Sequence, residues 1–284
     1  MINRYISILK KHEHPVRFVL ARLLVLSGLC RFFTIPQNGY RIRFHPANLP
    51  TNLWINPCNR EDALSFFNAY LKSGDRVIDV GANIGDTVLT SSVRVGPTGH
   101  VTGIEAHPRT FSFLAENIAL NEATNVTLIH SAAGDQKGTV NFSDSRYDDM
   151  NQVNHGDLEV PVRPLDDLIE SPDSIALLKI DVEGYELPVF RGARRILSQA
   201  ECIYFEAGET MCRDFGYEVD DLLQAATDNG FELYVHELGT VLTTIKSGQS
   251  FIPYRNIVGC RDSRVLFQRT GWSLTDLPKS LNKF

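Results

Sequence analysis

The sequence predicts an α/β chain, doubly wound about a mostly parallel sheet, and three observations point that way. From residue 74 onward, short β-rich runs alternate with longer helical patterns. The helical patterns carry start and stop signals where helices need them. The first β-run also breaks into a glycine-punctuated turn that opens straight into a helix, Arg76-Val-Ile-Asp-Val-Gly-Ala-Asn-Ile-Gly-Asp-Thr87. At 284 residues, 43% of them hydrophobic and 22% charged, the chain can bury one large core and has little left for a second.

In chain order, residues 1–58 are expected to form a basic helical and strand extension, 59–268 the main domain and 269–284 a tail. Within the extension, segment 16–33 is strongly apolar, but Arg22 and Arg31 cut its charge-free run to residues 23–30. Eight residues cannot cross the roughly 30 Å of bilayer hydrocarbon. No convincing small-residue cleavage site marks it as a signal peptide. Two readings stay open: a helix packed on the domain or on a twin subunit, and a basic apolar helix lying on a membrane surface.

The sheet runs are Arg76–Val80, His100–Ala106, Val126–Ala133, Ala176–Val182, Glu201–Ala207 and Phe231–His236. Helices are expected near Asp86–Val95, Pro108–Asn121, Glu186–Leu197 and Val219–Asn229. Pro108 sits where a first turn tolerates a missing N–H, and Gly230 where a left-handed cap is common. Two further strand-like pieces, Gly138–Ser143 and Leu158–Pro164, flank the polar loop Asp144–Asp157, a candidate lid over a substrate.

Charge is unevenly spread. Residues 1–45 hold eight Lys or Arg against the single acid Glu13, so the extension carries +7 of a total of −6 and the rest −13. An acidic body argues against a nucleic-acid-reading core, because phosphate neutralisation needs a Lys/Arg face. The five cysteines show no CxxC spacing, which suggests neither a zinc site nor a disulfide framework and fits a reducing, cytoplasmic setting.

The turn Asp79-Val-Gly-Ala-Asn-Ile-Gly85 carries the chemistry. Gly81 is expected to leave the strand's carboxyl end bare for a ligand, Asn83 tolerates positive φ, and Gly85 permits close helix packing. Asp79 could accept hydrogen bonds from a cationic amino group. The spacing is DxGxNxG, so it lacks the glycine a pyrophosphate loop wants at position 83, and no GK[ST] makes it a P-loop. A nucleoside without phosphates fits better. Twenty residues past Gly85, Glu105 ends the second strand, where a carboxylate can bridge two ribose hydroxyls. Ser131-Ala-Ala-Gly-Asp135 offers small residues for a pocket wall, with Ala133 against an adenine face and Asp135 either on the adenine amino group or simply a turn acid.

On these residues the chain resembles the FkbM family of methyltransferases. The resemblance rests on Gly74–Gly85, Glu105 followed by Pro108, Asn117–Asn121, Val162-Arg-Pro-Leu-Asp-Asp-Leu168 and Leu178-Lys-Ile-Asp-Val-Glu-Gly-Tyr-Glu186, and covers roughly residues 60–210. It implies a seven-stranded sheet of the class I, Rossmann-like type, S-adenosyl-L-methionine as methyl donor, and O-methylation of a hydroxyl on a sugar, glycolipid or other natural product. One departure is that the family commonly has Glu-Pro where this chain has Glu105-Ala106, with His107 next. The cofactor set expected is Asp79, Gly81, Ala82, Asn83, Gly85, Glu105, Ala106, Ala133, Asp135 and Asp181.

Transfer to a hydroxyl requires a general base in the crevice beyond the strand ends. Asp181 and Glu183 are the candidates, because residues i and i+2 of a strand share a face and two neighbouring carboxylates raise one another's proton affinity. Glu183 is alternatively an acid at a helix N-terminus. Glu206, ending the next strand, would complete a trio of acids. Three such oxygens suit a divalent metal, though no metal motif is present. His107, His155 and Tyr185 are secondary acceptor contacts, and Arg191, Arg194 and Arg195 most simply form a solvated face. The competing readings are an NAD(P)-dependent oxidoreductase and a non-catalytic cofactor-binding protein of the same fold.

Overall fold

Residues 14–58, 60–143, 156–170, 174–237, 239–245 and 248–275 are described by a computed structural model. Helix α1 (Pro15–Ser27) starts on a proline whose missing N–H costs nothing there, and it stops at Gly28, in the left-handed region with its N–H on the Val25 carbonyl. A 3₁₀ turn (Leu29–Phe32) leads to the antiparallel ribbon β1 (Thr34–Pro36) and β2 (Arg41–Arg43), then to α2 (Asn48–Ile55) and α3 (Glu61–Tyr70). This extension is not a loose appendage. Ala21, Cys30, Ile35, Ile42, Phe44 and Leu53 form one apolar cluster with Ile84 and Leu89 of the main domain.

The domain continues as β3 (Arg76–Val80), α4 (Asp86–Val95), β4 (His100–Glu105), α5 (Pro108–Leu120) and β5 (Val126–His130). After them come β6 (Ala132–Gly134), β7 (Gly138–Phe142), β8 (Leu158–Pro164), the short α6 (Leu165–Leu168) and β9 (Ile175–Ile180). The last third comprises α7 (Glu186–Arg191), α8 (Arg194–Gln199), β10 (Ala200–Ala207), α9 (Glu209–Asp214), α10 (Val219–Asp228), β11 (Glu232–His236), β12 (Val241–Thr244), β13 (Arg255–Cys260), α11 (Ser263–Thr270) and β14 (Ser273–Thr275).

The main sheet runs β14-β12-β11-β13-β10-β9-β3-β4-β5. From β11 to β5 it is the expected seven-stranded, doubly wound sheet, with β13 antiparallel to both neighbours. The two extra strands β12 and β14 extend the edge beyond β11. Because the chain runs outward from β3 to β5 and returns to pair β9 on the other side of β3, strand order reverses between β3 and β9. A crevice opens at such a point beyond the strands' carboxyl ends. Every residue of β9 is buried, as a central parallel strand covered on both faces requires.

Two expected elements are broken. The run 126–133 splits at Ser131: β5 stays in the main sheet, while β6 turns away to pair with β8, and β8 with β7, in a second, three-stranded sheet. The expected helix Glu186–Leu197 breaks at Gly192 and Ala193 into α7 and α8. At Gly192 a Cβ would lie 1.8 Å from the Gly134 carbonyl oxygen, so the close approach of β6 at this point requires a bare backbone. Residues 144–155 of the candidate lid, with His155, and 276–284 of the tail lie outside the described residues.

Candidate active site

A cavity of about 500 Å³ lies beyond the carboxyl ends of β3, β4, β9 and β10. The turn after β3 forms its floor. Gly81 and Ala82 both donate from backbone N–H to the Ile104 carbonyl at 3.0 Å, and the turn visits the left-handed region at Gly81, Asn83 and Gly85. Gly81 lines the cavity as bare backbone, and a Cβ there would stand 1.8 Å from the Asp181 carbonyl oxygen, so the bare position also admits the neighbouring turn. Gly85 caps α4 and clears Leu114 of α5, and it does not line the cavity.

Glu105 is the buried acid of the floor. One carboxylate oxygen accepts from the Asn83 N–H and the other from the His107 N–H, each at 2.9 Å. Burial pushes its carboxyl up to about 7, and the two backbone donors pull it back. Each oxygen keeps a further lone pair, and the group lines the cavity beside Ala106, Ala132 and Ala133. Asp135 is exposed in the turn after β6 and is absent from the cavity wall.

Asp79 does meet a cationic amino group, but the cation is Lys179 of this chain. Its carboxylate accepts from Lys179 Nζ at 2.8 Å and from the Thr87 hydroxyl, all three groups being buried. It therefore stands beneath the cavity and does not line it. Lys179 Nζ also reaches the Gly81 carbonyl at 3.1 Å and Asp181 Oδ2 at 3.4 Å. Burial opposes the ammonium charge, but Asp79 and Asp181 outweigh it and hold the lysine above its usual pKa.

Asp181, Glu183 and Glu206 all line the cavity. Strand alternation does not bring them there, since β9 ends at Ile180 and Glu183 sits at φ 54 in the following turn. The acid serving the α7 N-terminus is Glu186, whose Oε1 accepts from the Val182 N–H at 3.1 Å and the Gly184 N–H at 3.2 Å. Burial pushes Glu186 up to about 7. Within the cavity the crowding of acids falls on Glu206. Burial first, then Asp181, Glu183 and Glu186, push its carboxyl up to about 10 and so favour its neutral form. Among the described residues no group of three or more His, Cys, Asp or Glu is arranged to hold a metal ion.

Residues 79–233, just over half of the chain, match the family described as Methyltransferase FkbM domain. The chain belongs to that family. Hexuronic acid methyltransferase AglP of Haloferax volcanii is 26% identical over 175 residues, 60% of this chain and 71% of that one. Arsenite methyltransferase of Halobacterium salinarum is 38% identical over 58 residues, 20% of this chain and 15% of that one. The crystal structure of methyltransferase FkbM from Methylobacillus flagellatus is 16% identical, covering 74% of this chain and 52% of that one with a TM-score of 0.45. The chain thus spans about half of that protein's length and far less of the arsenite methyltransferase's.

The FkbM domain span holds Asp79, Glu105, Lys179, Asp181 and Glu206, yet part of the cavity wall comes from outside it. Leu49 and Asn52 of α2, Arg60 and Tyr254 complete the wall. Arg60 Nε donates to Asp86 Oδ2 at 3.2 Å, and the Tyr40 hydroxyl of the extension donates to Oδ1 of the same carboxylate at 2.7 Å and so ties the extension to the first turn of α4. Sequence reasoning passed over these residues and gave Lys179, though part of the family motif, no role. Lys179 alone had a readable signal, being a lysine inside the apolar run Ile175–Ile180. His107 and Tyr185 line the cavity, but Arg195 is no solvated side chain: it donates to the Asp166 and Ile169 carbonyls at 2.6 and 2.7 Å.

Proposed function

We propose that this FkbM-family chain is an S-adenosyl-L-methionine-dependent O-methyltransferase acting on a hydroxyl of a sugar, glycolipid or related natural product. The observation that carries the reading is the pairing, across one cavity, of the buried Glu105 carboxylate on a small-walled floor with the carboxylate Asp181. Glu105 has acceptor capacity left for two ribose hydroxyls, and Ala106, Ala132 and Ala133 leave room for a flat base. The turn holding Asn83 lacks the glycine a diphosphate would need. These groups fit a nucleoside without phosphates. When bound, that cofactor supplies a methyl carbon carrying a sulfonium leaving group.

The protein's own task is then alignment and one proton transfer. Asp181 would accept the proton that the acceptor hydroxyl gives up on methylation. Lys179, 3.4 Å away, is the positioning residue for that carboxylate. Glu206, in its neutral form, serves as a hydrogen-bond donor to the acceptor. The hexuronic acid in the name of the H. volcanii relative makes acidic sugars the first acceptors to screen.

Calorimetric titration with S-adenosylhomocysteine, NAD⁺ and a Glu105→Ala variant tests the cofactor. Binding of S-adenosylhomocysteine alone, weakened about 10- to 100-fold in the variant, is expected from the loss of charge-assisted hydrogen bonds. Preference for NAD⁺ would overturn the assignment. Asp181→Asn should bind the same ligand within a few-fold while turnover of a methylated acceptor falls about 10²- to 10⁴-fold; wild-type turnover in that variant would remove Asp181 from the base role.

A further inference from the structure

Helix α1 is apolar on two opposite sides. Its inner side, with Ala21 fully buried and Leu24 and Val25 half-buried, seals the extension's core. The outer side carries Val16, Val19, Leu20, Leu23 and Leu26, at spacings of three and four residues that stack them on one stripe. The following turn exposes Leu29, Phe32 and Phe33 as well. All eight side chains are exposed, Leu26 by 80%, Phe32 by 74% and Val16 by 71%. A contiguous apolar patch of this kind on a surface marks an interaction face.

Charge decides which partner fits. At about 100° per residue, Arg17 and Arg22 fall on either flank of the stripe, and both are exposed. Arg31, beside Phe32, is exposed too, and Arg41 and Arg43 follow on the ribbon. Between residues 14 and 45 there are five arginines and no acid. A second copy of this face would set Arg17, Arg22 and Arg31 against one another, whereas anionic lipid headgroups complement them. Thirteen residues of helix reach only about 20 Å, so α1 lies along an interface and does not cross one. Among the described residues no helix is long and apolar enough to cross a membrane.

We propose that the outer face of α1 and the turn after it dock this protein on an anionic membrane surface, leucines and phenylalanines in the acyl boundary and arginines among the headgroups. The proposal stands apart from the methyl-transfer reading. It bears on it through α2, which contacts α1 on one side and lines the cavity through Leu49 and Asn52, so the docked face holds the cavity wall close to the lipid surface.

The test is co-sedimentation of the full-length protein with phosphatidylcholine vesicles, with and without phosphatidylglycerol, beside sedimentation equilibrium in solution. Expected are a monomer in solution and pelleting with the anionic vesicles, weakening several-fold as salt rises to about 0.5 M. In a Leu20→Asp/Leu23→Asp variant the vesicle affinity should fall at least about a hundredfold while thermal unfolding is unchanged. Arg22→Glu, which leaves the apolar stripe intact, should weaken it at least about fivefold. The proposal fails if wild-type protein stays in the supernatant with anionic vesicles at low salt. It fails equally if the wild type is a dimer that the double aspartate variant converts to monomer, since the face would then belong to a second copy.

Discussion

Lys179 shows how one residue organises several others. Its ammonium stands between the Asp79 carboxylate, the Gly81 carbonyl and Asp181, and so ties two central strands and the glycine turn together beneath the cavity. Removing one partner of a buried pair leaves the other charge without compensation. Lys179→Met is therefore expected to lower unfolding free energy by about 3–5 kcal/mol in urea titration, and adding Asp79→Leu should restore part of the loss. Glu206 makes a different prediction. Its carboxyl is near 10 in the folded protein against an ordinary 4.5, so the folded chain keeps a proton that the unfolded chain releases above about pH 4.5. Stability from this group accordingly declines as pH rises from about 4.5 toward 10. Glu105 and Glu186, both near 7, add to the decline between 4.5 and 7. The melting temperature should be lower at pH 9 than at pH 6, and Glu206→Gln, which mimics the neutral acid, should narrow the gap; an unaltered gap would contradict the assignment.

At the scale of elements, α5 explains why Asn117 and Asn121 accompany the glycine turn in the sequence. Asn117, fully buried, donates to the Ile84 carbonyl at 2.9 Å inside that turn and accepts from the Arg43 N–H of β2 at 2.8 Å. Asn121 pairs with Arg41 in both directions, at 2.8 and 2.7 Å. One helix thus holds the cavity turn on one side and supplies hydrogen bonds to the edge of the ribbon on the other. Asn117→Ala would strand a buried carbonyl and an amide N–H, and chemical denaturation should register a loss of about 2–4 kcal/mol. A change below half a kcal/mol, as expected of a surface site, would show that the ribbon is held by its apolar cluster alone. Asp166 does similar work at the other side of the sheet, accepting from the Arg195 and Ile196 N–H groups at 2.9 and 3.0 Å and so starting α8 after the break at Gly192.

At the scale of the whole molecule, extension and domain share one core and one cavity wall. Ile84 and Leu89 of the domain share an apolar cluster with Phe44 and Leu53 of the extension, and the Tyr40 hydroxyl of the extension donates to Asp86. The sequence by itself determined what depends on neighbours along the chain. Alternation of strand and helix, the helix ends at Pro108 and Gly230, the DxGxNxG turn and Glu105 one strand later are local patterns, and each is where the spacing put it. Asp181 and Glu206 were legible for the same reason, since parallel strands in this winding all end on one side. What the tertiary structure alone decided depends on residues far apart in the chain. Nothing near Asp79 announces that its cation is Lys179, a hundred positions on. Nothing near Ser131 says that the strand divides there, because the division is settled by pairing with Leu158–Pro164. Proton affinity is of the same kind: a carboxylate's charge is set by burial and by the acids around it, and only folding brought Asp181, Glu183 and Glu186 around Glu206.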